Sequence, residues 1–302
     1  MTKPSIYFPI VRELYAASVL PVMRAFEAAG HKCSHEWEGQ DIMIGSDAGD
    51  DCDAALKFNL NHGFGAKNIY WGTNGTEREQ KAIQLVPSRW YARRLQRCGV
   101  PALVVGMPRL DIGRKCRTNS EKSVLYAPTC HVAITSIPMV DRRVLGLSGY
   151  GYKVRVRLHP AILESGDQAS DLARLLWGNT ESEDSGVLVA KSKVTICDLA
   201  TTLLDAIVLD KPAIVMQPPS YTVSEYFNVR NPEWVLRNVQ YVAHNWYEAK
   251  QIFKRLHKKD DPKAELRRRV APFLCEHVGE AAHRCYDAVM GVWNAGRNSC
   301  RR

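Results

Sequence analysis

His62 stands in LNHGFGAKNIYW, residues 60–71, between an apolar run and a loop holding Gly63 and Gly65, with Lys67 following. An imidazole titrates near neutrality and can take a proton from an acceptor hydroxyl within hydrogen-bond reach. The two glycines permit a tight turn and close approach of the backbone to a ligand, and the lysine offers a point charge. A structural turn carrying a polar side chain fits the same residues, and the loop by itself does not decide.

Three further stretches carry chemically able residues. In VTICDLATTLLDAIVLDKPAIVM, 194–216, a strand ends at Cys197, Asp198 sits where an N-cap is wanted, and a helix opens behind it. First-turn amides and the helix dipole favour an anion such as a pyrophosphate, with Thr201 and Thr202 adding hydroxyl donors. The alternative is an ordinary capped helix whose threonines bond locally. In YKVRVRLHP, Lys153, Arg155 and Arg157 alternate with Val154, Val156 and Leu158, so three cations share one face of a strand ending at His159. They face water, a partner or an anionic ligand, with Arg157 and His159 nearest the carboxyl end; an exposed edge strand explains them equally. In VVGMPRLD, 104–111, Arg109 could hold a phosphate, Asp111 could fix a hinge, or the two could pair.

The elements that must position these residues alternate. SIYFPI, DIMIG, ALKFNL, AIQLVP and ALVVGMP read as strands, with helices over ELYAASVLPVMRAFEAAG and PSRWYARRLQRCG. The polar segment DIGRKCRTNSEKS, 111–123, interrupts the pattern, which then restarts with VLYAPT, YKVRVRLHP, GVLVA, VTICD and PAIVMQ and ends in a helical tail from about 263. This predicts an α/β protein of two Rossmann-like αβα domains with an interdomain cleft: 1–113, a linker at 114–122, and 123–302 including the tail. Ligands of such sheets sit beyond the carboxyl ends of the strands.

Composition narrows the function classes. With 302 residues and 45% apolar content the chain can bury one large core or two medium ones. Its net charge of +9 favours anionic partners: nucleotides, nucleic acid, polyphosphate polymers or an acidic membrane surface. The basic stretch KRLHKKDDPKAELRRR, 254–269, reads as a solvated helical face or a binding site. Nine cysteines without a C-x-x-C predict reduced thiols and a cytoplasmic protein. Cys275, His277, His283 and Cys285 match no structural zinc spacing, so no metal is assigned. The apolar runs are too short to span a bilayer and the N-terminus has no signal-peptide pattern, which leaves peripheral membrane association open.

Taken in order, the H-G-x-G-x-K loop, PSRWYARRL, VGMPRLD, VLYAPT, RLHP, ICDLATTLLDAIVLDKPAIVM and VGEAAHRCYDAV make the chain resemble the CDP-glycerol glycerophosphotransferases over about residues 55–290. These are teichoic-acid-type polymerases of GT-B fold. The resemblance implies a C-terminal nucleotide-donor domain and an N-terminal acceptor domain in which His62 is the base on the acceptor hydroxyl. It implies that His159 touches the donor phosphates and helps the nucleotide leave, that Asp198, Thr201 and Thr202 stand at the diphosphate, and that Thr129 lines the nucleotide site. Arg109 and Asp111 match its Pro-Arg-x-Asp turn; Gly279 and Arg284 match the ends of its terminal Gly-x-Ala-x-x-Arg. Leu199 and Ala200 stand where the family has Tyr-Ser. VVGMPRLD and RLHP are also similar to sugar-nucleotide GT-B proteins more widely, UDP-N-acetylglucosamine 2-epimerases included.

The resulting expectation is a metal-independent, cofactor-free transferase. It moves a glycosyl or glycerophosphate group from a CDP- or UDP-linked donor to an anionic or polyol acceptor. Two rivals stand beside it: a phage-type DNA glycosyltransferase acting on hydroxymethylated bases, to which the positive charge is suited, and a non-catalytic nucleotide-binding module.

Overall fold

The computed structural model describes residues 3–9, 13–46, 52–60, 82–111, 121–129, 135–159, 162, 181–217 and 232–299. The chain forms two compact units. The first holds Met1–Gly65, Ile69–Ile112 and Phe273–Arg302, the second Ala66–Asn68 and Gly113–Pro272.

The first unit is built on six parallel strands: β1 (Ile6–Tyr7), β2 (Cys33–Ser34), β3 (Ile42–Gly45), β4 (Leu56–Leu60), β5 (Ile83–Val86) and β6 (Ala102–Val104), in the order β2-β1-β3-β4-β5-β6. The near-continuous apolar character of β3 matches a strand covered on both faces, since all four of its residues are buried. Helices α1 (Glu13–Ala28) and α2 (Arg89–Arg97) flank the sheet. Gly30, at φ +79, ends the α1 segment in the left-handed region as the sequence predicts.

The second unit has five parallel strands: β7 (Ser123–Ala127), β8 (Lys153–Val156), β9 (Val194–Cys197), β10 (Ala213–Met216) and β11 (Tyr241–Ala243), ordered β11-β10-β9-β7-β8. Its helices are α3 (Ile137–Val140), α4 (Ser185–Lys191), α5 (Thr201–Val208), α6 (Pro232–Leu236), α7 (Trp246–His257) and α8 (Ala264–Leu274), the last running into the first unit. GVLVA, expected as a strand, is the body of α4. The Asp184 carboxylate accepts from the N–H groups of Gly186 (2.8 Å) and Val187 (3.4 Å), and this cap overrides the β-branched composition of a short apolar run.

The helical tail needs a correction too. Helix α9 (Ala281–Ser299) belongs to the first unit, not the second. Cys285 and Val289, one helical turn apart, enter the core of the first sheet with Ile6, Phe8, Val19, Val22 and Phe26, and Tyr286 meets Phe26 edge-on at 5.0 Å. Two local devices hold this return. Asp111 receives the N–H groups of Gly279 (2.7 Å) and Ala281 (3.2 Å) on Oδ1 and of Ala282 (2.9 Å) on Oδ2, capping α9 from the end of the first domain's turn. Gly106, at φ +90, lets the backbone come so close that a Cβ there would lie 2.6 Å from the Glu276 carbonyl and 2.9 Å from the Ala281 Cβ.

Candidate functional site

In the second unit the strand order sets β7 between β8 on one side and β9, β10 and β11 on the other. The topological switch point therefore falls between β7 and β9, where open parallel sheets leave a crevice at the carboxyl edge. Thr129 follows β7, Asp198 follows β9 and Thr201 begins α5, so three of the expected donor residues meet at this point.

Their geometry differs from the expected one at Asp198. It is not the N-cap of α5; that position is Ala200, extended at φ −146 and ψ 171 and making no side-chain cap. The Asp198 side chain turns back into the sheet edge, fully buried, where Oδ2 accepts the Thr129 N–H (2.7 Å) and Oδ1 the Ser136 N–H (3.2 Å). One carboxylate thus binds two points of the segment after β7. The hydroxyls of Tyr126 and Ser136 lie 3.0 Å apart and extend the network. Ser136 was not singled out from the sequence, and no local signal marks it, since the contact joins residues 62 positions apart.

Burial raises the Asp198 carboxyl to about 7, against the opposing pull of the Ser136 hydroxyl and the amides of Thr129 and Ser136. Burial and the neighbouring Asp198 charge push the Tyr126 hydroxyl and the Cys197 thiol well above their ordinary values, so neither titrates near neutrality. A carboxyl whose folded value exceeds its unfolded one holds its proton longer in the native state, so stability falls as pH rises from about 4 to about 7 and is then flat. Asp198→Asn removes this titration but sets an NH2 against one of the two N–H donors. The wild-type stability advantage over Asp198→Asn should accordingly shrink by about 2–4 kcal/mol between pH 4 and pH 7 in urea unfolding. A margin that widens with pH would contradict the assignment.

Helix α5 starts without a side-chain cap, although Leu203 N–H bonds the Ala200 carbonyl at 3.0 Å. An N-cap alanine leaves a helix about 1 kcal/mol less stable than Ser, Thr, Asp or Asn would. First-turn amides that receive no side-chain oxygen from the N-cap residue suit an external anion. Thr201 is half-buried and Thr202 is 9% exposed beside them.

Two of the three cations of this stretch, Arg155 and Arg157, are engaged within the protein, while Lys153 is exposed. β8 is an edge strand, and Arg155 bonds Glu121 and Glu181, each at 2.6 Å; this pairing lowers the Glu121 carboxyl. Arg157 donates from Nε to the Glu183 carbonyl at 2.9 Å and from Nη1 to the Leu158 carbonyl, and desolvation pulls its guanidinium down. Arg157 thus clamps the segment before α4, whose Glu181 N–H bonds the Val156 carbonyl at 2.8 Å. His159 is half-buried past the carboxyl end of β8.

The other candidates lie elsewhere. His62, Gly63, Gly65 and Lys67 fall outside the described residues. Arg109 is buried in the first unit at 4% exposure, in the same turn as the capping Asp111. Cys285 is a core thiol, whereas His283 is exposed on α9 and stacks on Tyr286. Much of the basic stretch 254–269 is structural: buried Arg267 grips Asp261 (Nη1 to Oδ1, 2.9 Å) and faces Asp210, and Lys263 donates to the carbonyls of Asn238 and Gln240. Among the described residues no helix is long and apolar enough to cross a membrane.

Two parallel-sheet units of this kind define the GT-B fold. A variant of the wall teichoic acid polymerase TagF superposes with a TM-score of 0.70 at 12% identity, covering 96% of this chain and 89% of that one. MnaA from S. aureus, in a co-structure with UDP, gives 0.60 at 13% identity and 97% of both chains. The UDP-GlcNAc 2-epimerase of Neisseria meningitidis, bound to UDP-GlcNAc, gives 0.57 at 11%, covering 95% of this chain and 99% of that one. No protein-family model and no curated protein sequence matches the chain, and the likeness is one of fold.

Proposed function

We propose that this chain is a metal-independent GT-B transferase that moves a glycosyl or glycerophosphate group from a nucleotide-diphosphate donor to an acceptor hydroxyl. The observation that carries the reading is the N-terminus of α5, which its N-cap residue Ala200 leaves without a side-chain cap, at the β7/β9 switch point beside Thr129, Thr201 and Thr202. Neighbours of the same fold that hold UDP or were soaked with CDPG support a nucleotide as the anion. In this scheme the amides and threonine hydroxyls bind the diphosphate. Asp198 is a positioning residue that holds the Thr129 and Ser136 amides, Arg157 braces the wall, and His159 assists the leaving phosphate. Gly63, Gly65 and Lys67 shape the acceptor side.

The acceptor oxygen bonds to the transferred carbon or phosphorus as that atom's bond to the donor phosphate oxygen breaks. His62 takes the acceptor proton, and the nucleotide leaves with the electron pair. Helix amides and hydroxyls carry the charge that grows on the leaving group, which is the role a divalent cation fills elsewhere.

A thermal-shift series with CDP, UDP and their nucleosides tests the donor site. Diphosphates should stabilise the protein, by about 2.7 kcal/mol at a hundredfold excess over Kd, and nucleosides should not. Product masses with CDP-glycerol and UDP-sugars, offered polyol and DNA acceptors, then test transfer, which should survive EDTA. Equal stabilisation by nucleosides would remove the diphosphate site; binding without turnover would leave a nucleotide-binding module.

A further inference from the structure

Helix α2 reads RWYARRLQR and carries no acidic residue. Tyr91, Ala92 and Leu95 face the core, and Trp90, Arg93 and Arg97 are exposed on the opposite side, the indole at 40%. At 3.6 residues per turn these three fall within roughly 60° of one another and span about 10 Å of helix. Arg89 is not part of this set. Its Nε pairs with Glu276 Oε2 at 3.0 Å while its N–H meets Oε1 at 2.8 Å, so both its guanidinium and the first amide of α2 are engaged by Glu276.

A solvated helix face ordinarily mixes signs, because like charges four residues apart repel. Tryptophan, moreover, is mostly buried. An exposed indole beside two cations that have no acidic partner among the described residues, on a chain of net charge +9, is complementary to a ligand that brings both negative charge and a flat ring.

We infer that this face of α2 docks single-stranded nucleic acid, with Trp90 stacked on a base and Arg93 and Arg97 on neighbouring phosphates. A duplex hides the ring face the indole needs, and a polyol phosphate has no ring to offer. An anionic bilayer fits poorly, since an interfacial helix inserts an apolar face and the other apolar residues of α2 are in the core. The inference is independent of the nucleotide site in the second unit.

Anisotropy of a labelled single-stranded 12-mer, titrated with the full chain across a salt series, tests it. Wild type should bind with a steep salt slope and quench tryptophan fluorescence. Arg93→Gln/Arg97→Gln should weaken binding at least tenfold and lower the slope by about 1.4, the share of two phosphate contacts on a single strand. Trp90→Ala should weaken it roughly five- to hundredfold with the slope unchanged, and Trp90→Phe should restore most of the loss. Circular dichroism melts equal to wild type confirm folding of each variant. Absent oligonucleotide binding, Trp90→Ala binding like wild type, or capture by phosphatidylglycerol vesicles but not by the 12-mer overturns the assignment.

Discussion

His62→Ala is expected to lower turnover by roughly 10²- to 10⁴-fold while leaving nucleotide affinity within about twofold of wild type. The split follows from the division of labour. A general base acts on the acceptor proton only as the new bond forms, so its removal raises the barrier without touching ground-state contacts to the donor. The donor contacts proposed here, at Thr129, Thr201 and Thr202, lie about the carboxyl edge of the second sheet, and the role proposed for His62 is on the acceptor alone. His159→Ala should behave differently, reducing turnover and diphosphate affinity together, because its proposed role is on the phosphates themselves. Isothermal titration with the product nucleotide and initial rates at saturating donor separate the two patterns. Parallel loss of affinity and rate in His62→Ala would move that histidine to the donor.

How much of this was legible depended on whether the deciding contact was local. The apolar strands β3, β4, β5, β7, β9 and β10 and the helices α1 and α2 follow from periodicity within each segment. Two-residue β2 and three-residue β11 are too short to carry a pattern. GVLVA was ambiguous because five apolar residues suit a buried strand or a buried helix, and Asp184, just outside the run, decides. Helix α9 has an apolar face, but amphipathicity says only that something covers it, and the partner is a core formed near the other end of the chain. The same limit explains Asp198. Its position after a strand and before a helix suggests a cap, whereas its partners, Thr129 and Ser136, come from a segment over sixty residues earlier. Thr201 and Thr202 follow from a local pattern, a helix opening behind an apolar strand, whereas Thr129 joins them only through the family resemblance.

Ala200→Asp should cost the diphosphate about a hundredfold or more in affinity while making the free protein more stable by about 0.5–2 kcal/mol. Position 200 is the N-cap of α5 and is extended, the backbone conformation from which a side-chain oxygen reaches the N2 or N3 amide. A carboxylate placed there caps the helix and favours its dipole, hence the gain. It also takes the amides a diphosphate would use and sets like charges about 4 Å apart, worth about 4 kcal/mol at an effective dielectric near 20. Ala200→Ser supplies the cap without the charge, so it should gain similar stability and lose only severalfold in affinity. Opposite signs for stability and binding separate this from generic damage to the fold, in which both would fall. Undiminished CDP and UDP binding by a stabilised Ala200→Asp protein would show that the anion sits somewhere other than the start of α5. The transferase reading would then lose its donor site, whatever the behaviour of His62.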